Sequence, residues 1–136
     1  MEVKVDTKEK FTTIAPQEPH LYDNMAADLA ATCTNFLDKS VKNVVLNMQK
    51  VTGVEANAAQ TIASLQQQFY EQNASFVICE INPPVEEVFD QLELLELLNI
   101  TPTESEAWDI VQMEEIEREL LDTDDIAFNK QNGDEE

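Results

Sequence analysis

The order in which hydrophobic positions change their period predicts most of the architecture. Val3 and Val5 alternate with charged residues, the pattern of a half-exposed strand. Phe11 to Ala15 is aromatic and β-branched and is closed by Pro16 and Pro19, predicting a second strand beside the first at a sheet edge. From Asp23 to Asp38 the period becomes helical, with Ala26, Leu29, Ala30, Cys33, Phe36 and Leu37 on one face and Asp23 as its cap. Val44-Val45-Leu46 is a short apolar run of the kind buried at a sheet centre. A second helix is predicted over 56–72, with Ala58, Ile62, Leu65 and Phe69 on one face.

Phe76 to Cys79 forms the next buried strand. Asn82-Pro83-Pro84 supplies a cap followed by proline in a first turn, where its missing N–H costs nothing, and opens a helix through Val85, Val88, Phe89 and Leu92. Leu97 to Ile100 predicts one more strand. Thr103-Glu104-Ser105-Glu106 reads as a capping box for a last helix, whose apolar stripe is Ala107, Ile110, Val111, Met113, Ile116 and Leu120. The whole is an α/β order ββαβαβαβα: about five strands in one mixed sheet and four helices, mainly on the sheet's buried side. No internal repeat is visible. A domain over 1–122 is followed by an acidic, disordered tail over 123–136.

Charge sharpens this picture. The chain carries 28 acids against 8 bases, a net −20, and residues 103–136 hold 13 of those acids with 2 bases. Such a field repels phosphate backbones and anionic lipid, so nucleic acid and membrane surfaces are excluded as expected partners. It also keeps a protein soluble. Two glycines leave no phosphate-cradling loop. Cys33 and Cys79 sit in apolar patterns and read as buried hydrophobes; with His20 the sole histidine, neither a disulfide framework nor a zinc site is expected, and no other metal or cofactor. The sequence shows no signal-peptide pattern and no apolar run long enough for a bilayer, so the expected compartment is the cytoplasm.

Val44-Val45-Leu46-Asn47-Met48, then a loop and helix, then the run from Phe76 through Asn82-Pro83-Pro84-Val85 to Phe89-Asp90, resembles the STAS domain, the family named for sulfate transporters and anti-sigma factor antagonists. The resemblance spans residues 1–122. It implies a non-catalytic, protein-binding domain of bacterial transcription regulation. In bacterial anti-sigma factor antagonists the loop after the third strand carries Asp-Ser-Ser-Gly, and its second serine is phosphorylated by a kinase-type anti-sigma factor. That motif falls on Glu55-Ala56-Asn57-Ala58 here. Asn57 has no hydroxyl to accept a phosphoryl group, and its neutral amide lacks the roughly −1.5 to −2 charge of phosphoserine. No phosphorylation switch is expected.

The resemblance therefore implies a partner surface over Thr52, Gly53, Glu55, Ala56, Asn57, Ala58 and Thr61. Glu55 and Asn57 serve either as binding contacts or as caps of their own helix. The implied partner is an anti-sigma factor kinase or a phosphatase-type regulator; the alternative is the ATPase of an ABC-type lipid transporter. Nucleotide binding, attached to some STAS domains, suits a glycine-poor acidic chain badly. His20 lacks a nucleophile or orienting carboxylate at a recognisable spacing and reads as structural. Glu86-Glu87 and Glu114-Glu115 read as solvated helix surface, and Trp108 and Leu121 as wrapped onto the domain.

Overall fold

The computed structural model describes the backbone of residues 1–128 and the side chains of residues 1–121. Strand β1 (Val3–Thr7) pairs antiparallel with β2 (Thr12–Pro16), Val3 opposite Pro16, and forms one edge. β4 (Val44–Asn47), β6 (Phe76–Cys79) and β7 (Ile100–Thr101) follow β2 in parallel, giving the sheet order β1-β2-β4-β6-β7. The mixed five-strand sheet and four helices match the expected class. A ladder of two residues per strand, β3 (His20–Leu21) with β5 (Gly53–Val54), was not anticipated; it is too short to show a period.

Strands alternate their side chains between faces, and both faces are covered. Ile14, Val44, Leu46, Phe76 and Ile78 pack beneath α1 (Asp23–Thr34), α2 (Ala56–Glu71) and α3 (Pro83–Gln91). On the other face Phe11, Val45, Val77 and Cys79 meet Ala107 and Val111 of α4 (Glu104–Phe128). This double cover is why the central strands read as unbroken apolar runs. Trp108 lies against Phe11 at 5.3 Å between ring centres, wrapped onto the domain as expected.

Several boundaries differ from the expectation. Tyr22, not Asp23, occupies the N-cap position of α1, and that helix gives way to a 3-10 turn at Asn35–Asp38. Leu95–Leu97 form another 3-10 turn, which shifts the last strand to Ile100–Thr101. The capping box of α4 is present in modified form: the Glu106 N–H donates to Thr103 Oγ1 at 3.2 Å, and the Thr103 hydroxyl itself donates to the Glu106 carboxylate at 3.0 Å. Helix α4 continues to Phe128, past the expected break after Asp122; the rest of the anticipated tail, 129–136, lies outside the described residues.

The larger correction concerns which side of α4 is buried. Ala107 and Val111 are buried and Ile110 partly so, but Met113, Ile116, Leu120 and Leu121 are 59%, 54%, 55% and 63% exposed. Glu114 and Glu115, expected in solvent, turn inward instead. Ser75 Oγ donates to Glu114 Oε1 at 2.6 Å, and Asn99 Nδ2 donates to Glu114 Oε2 at 3.0 Å. Asn43 Nδ2 donates to Glu115 Oε2 at 2.7 Å, while Arg118 donates to Ser75 Oγ and Asn43 Oδ1 at 3.2 and 3.4 Å. Asn43, Ser75 and Asn99 stand just before β4, β6 and β7, so beyond Val111 the helix meets the polar starts of strands rather than their apolar middles.

Candidate functional site

The loop after β4 leads through β5 into α2 at the C-terminal ends of the parallel strands. Pairing of β5 with β3 brings Gly53 beside His20 and Val54 beside Leu21. The residues that follow each short strand are the starts of α2 and α1, so two helix N-termini stand side by side. Both expose unsatisfied N–H groups at the positive end of a helix dipole.

Glu55 answers that need across the pair. Its backbone, at φ −76° and ψ 154°, holds the N-cap position of α2, but its side chain makes no bond to that helix. Instead the Asp23 N–H donates to Glu55 Oε1 at 2.8 Å, and the Glu55 N–H donates to the Leu21 carbonyl at 3.0 Å. Asn57 Nδ2 then donates to Asp23 Oδ2 at 3.3 Å. Neither Glu55 nor Asn57 caps its own helix through its side chain; both tie α2 to the first turn of α1.

The remaining predicted site residues divide by burial. Thr52 is exposed, but its hydroxyl and its N–H both donate to the Pro19 carbonyl, at 3.2 and 2.8 Å. Gly53 lies under the His20 ring: a Cβ there would come within 2.5 Å of Nδ1, and the ring packs at a 49° tilt against Tyr22, 4.5 Å between ring centres. His20 thus has the structural place expected of it. Ala56 is exposed and Thr61 half-buried. Ala58 is fully buried in the core and offers a partner no surface, which corrects its inclusion in the site.

Sequence reasoning missed Tyr22 and Asp23, both exposed at this edge. They come from a segment more than 30 residues away, and the only signal was a cap-type residue opening a helix. Asn82 holds the N-cap position of α3, with proline in the first turn, as expected, but its side chain has another use. The side chain of Asn82 makes no cap bond to α3; its amide donates to the carbonyls of Val51 at 2.7 Å and Gln49 at 3.0 Å, with Met48 O at 3.4 Å. Asn82 therefore fastens the loop that leads into the site.

The resulting surface carries Tyr22, Asp23, Glu55, Ala56 and Asn57: one aromatic, two carboxylates, an amide and a small apolar patch. That set suits hydrogen-bonded docking of a polypeptide. Among the described residues no cluster of three or more His, Cys, Asp or Glu is placed to hold a metal ion, and no helix is long and apolar enough to cross a membrane. Both cysteines are free and buried, and burial pushes each thiol up to about 12, far from the range of a reactive nucleophile.

The fold is shared with solved proteins of low sequence identity. A Thermotoga maritima protein superposes with a TM-score of 0.72 at 19% identity, over 81% of this chain and 94% of its own. An anti-sigma-factor antagonist (STAS) domain protein from Planctomyces limnophilus gives 0.70 at 18% identity, over 81% and 97%. The anti-sigma factor antagonist SpoIIAA in its unphosphorylated form gives 0.66 at 15% identity, over 82% and 96%. The STAS domain family model matches residues 2–107, the whole of the sheet with α1, α2 and α3 and only the first turn of α4, and on that match the chain belongs to the STAS domain family.

Proposed function

We propose that this STAS domain is a non-catalytic regulatory module that docks a protein partner through the surface around the starts of α1 and α2, with no serine phosphorylation switch. The observation that carries the reading is the hydrogen-bonded trio Asp23, Glu55 and Asn57. It holds the loop before α2 in one arrangement, and the resemblance sets an amide, Asn57, where the antagonists carry the phosphorylated hydroxyl. A phosphoserine releases its partner by adding charge. Asn57 offers no such release, so the surface stays in its binding form.

The partner proposed is a kinase-type anti-sigma factor or a related regulator. A negatively charged domain is steered toward a basic surface, which favours association rate at low salt. Ala56 is the residue to test, because it is exposed, apolar and outside the hydrogen-bonded trio. Titration calorimetry with a kinase-type anti-sigma factor from the source cell should show binding that Ala56→Arg weakens by about tenfold or more. Equal affinity for the variant, or no binding by the wild type, overturns the reading. An ABC-transporter ATPase would engage the same surface, and the same titration with that ATPase separates the two partners.

A further inference from the structure

From Met113 to Leu120, α4 inverts the ordinary amphipathic helix. Its polar side chains Glu114, Glu115 and Arg118 bond to the body, while Met113, Ile116 and Leu120 face solvent, each more than half exposed. At about 100° per residue, those three apolar residues fall within an arc of about 60°, roughly opposite the arc of Ala107, Val111, Glu114 and Arg118. An apolar stripe stabilises a helix only when it is covered, and an uncovered stripe rimmed by polar residues marks an interaction surface. The bonds to Asn43, Ser75 and Asn99 hold the helix so that the stripe is presented rather than folded inward.

Charge decides among occupants. Asp109 and Glu117 border the stripe, and residues 103–136 carry 13 acids and 2 bases. Two copies packed along this stripe would set like charges against each other at closest approach. Anionic lipid is repelled by the same field. An apolar stripe flanked by lysines or arginines satisfies both the exposed side chains and the acidic rim. We propose that the outward face of α4, centred on Met113, Ile116 and Leu120, docks a basic amphipathic helix of another protein.

This surface overhangs the N-terminal edge of the parallel strands, whereas Glu55 and Asn57 lie at their C-terminal ends. The two can be filled together. The domain then acts as a connector that holds a second protein without occupying the first surface.

The probe is a labelled helical peptide of about 16 residues, long enough at about 1.5 Å per residue to span the stripe, with leucines at helical spacing and flanking lysines. A control peptide carries glutamates in place of the lysines. Fluorescence anisotropy against the full chain should show binding by the lysine peptide alone, weakened by raised salt. The double substitution Ile116→Ser with Leu120→Ser should weaken it by about tenfold or more while leaving thermal unfolding unmoved. Ala56→Arg should leave it intact. No binding, or equal binding by the serine variant, overturns the proposal. So does a dimer by sedimentation, or adsorption to neutral phospholipid vesicles, that the serine variant abolishes.

Discussion

The Asp23 N–H donates to the Glu55 carboxylate at 2.8 Å, so the residue that opens one helix closes the end of another. A carboxylate at a helix N-terminus satisfies an orphan donor and opposes the dipole's positive end. Glu55→Ala should therefore destabilise the fold by about 1 kcal/mol, the usual loss on removing an N-terminal cap. Glu55→Gln should cost less, since its amide oxygen still accepts. Urea denaturation measures both; an unchanged midpoint for the alanine variant would show that water replaces the bond at no loss.

Gly53 and His20 form a second coupled pair. An alanine at 53 would press its Cβ to within 2.5 Å of the imidazole, forcing the ring off Tyr22. Overpacking of this kind costs about 1–3 kcal/mol. The cost should largely vanish when His20→Ala is already present. A double-mutant cycle gives the coupling directly, and additive losses would mean the ring swings aside freely.

The attachment of α4 should prove polar at one end and apolar at the other. Glu114→Ala leaves Ser75 Oγ without its 2.6 Å acceptor and removes one partner of Asn99. Orphaning buried polar groups costs about 1–3 kcal/mol, against less than about 0.5 for Glu117→Ala on the exposed side. Truncation from Thr103 uncovers Phe11, Val45, Val77 and Cys79 together and should abolish cooperative melting. A truncated chain that still melts cooperatively would mean that this face of the sheet tolerates water.

Alkaline pH should weaken the fold through its thiols. Burial raises Cys33 to about 12; it raises Cys79 to about 12 as well, with Glu104 and Glu80 adding to the shift. An unfolded thiol titrates near about 8.5. Below that both states are protonated and the full stability is present. Above it the unfolded chain gives up protons that the folded chain retains, so stability falls as pH climbs toward 12. Chemical denaturation at rising pH should show a steeper decline for the wild type than for Cys33→Ala with Cys79→Ala. Parallel declines would place the loss in other groups.

Kinase treatment tests the missing hydroxyl. Incubation with a kinase-type anti-sigma factor and ATP should leave the intact mass unchanged. Asn57→Ser alone should not restore full phosphorylation, because Ala56 and Ala58 also differ from the motif, and the buried Ala58 helps set how α2 sits. A stoichiometric phosphate within residues 52–61 of the wild type would refute this reading.

What the sequence made legible was whatever repeats locally. The Val44 and Phe76 runs were legible as central strands because both faces are covered, and α2 because Ala58, Ile62, Leu65 and Phe69 keep one face at helical spacing. α4 misled for a related reason. Ala107 and Val111 belong to one stripe and Met113, Ile116 and Leu120 to another, and periodicity detects a stripe without saying what covers it. The candidate site reads in the sequence as a loop and a helix start, but not as a joint. Asp23 and Tyr22 reach it through a ladder of two residues per strand, and Glu55 finds its acceptor role 32 positions away.

Asn82 has a bearing on the order in which the molecule is completed. Its amide clasps carbonyls 31 to 34 positions earlier, across the whole of α2 and β6. Closing a loop of that length costs entropy before the contact returns any. The strand Val44–Asn47 and helix α2 can therefore be in place while the segment between them is still unfastened. As the chain is synthesised, the proposed docking edge stays unfinished until β6 and the start of α3 have emerged, so a shortened product ending before Asn82 keeps the residues of the edge without its shape. Such a fragment should compete poorly for the proposed partner even where its helices form, so that binding there would require near-complete synthesis of the domain.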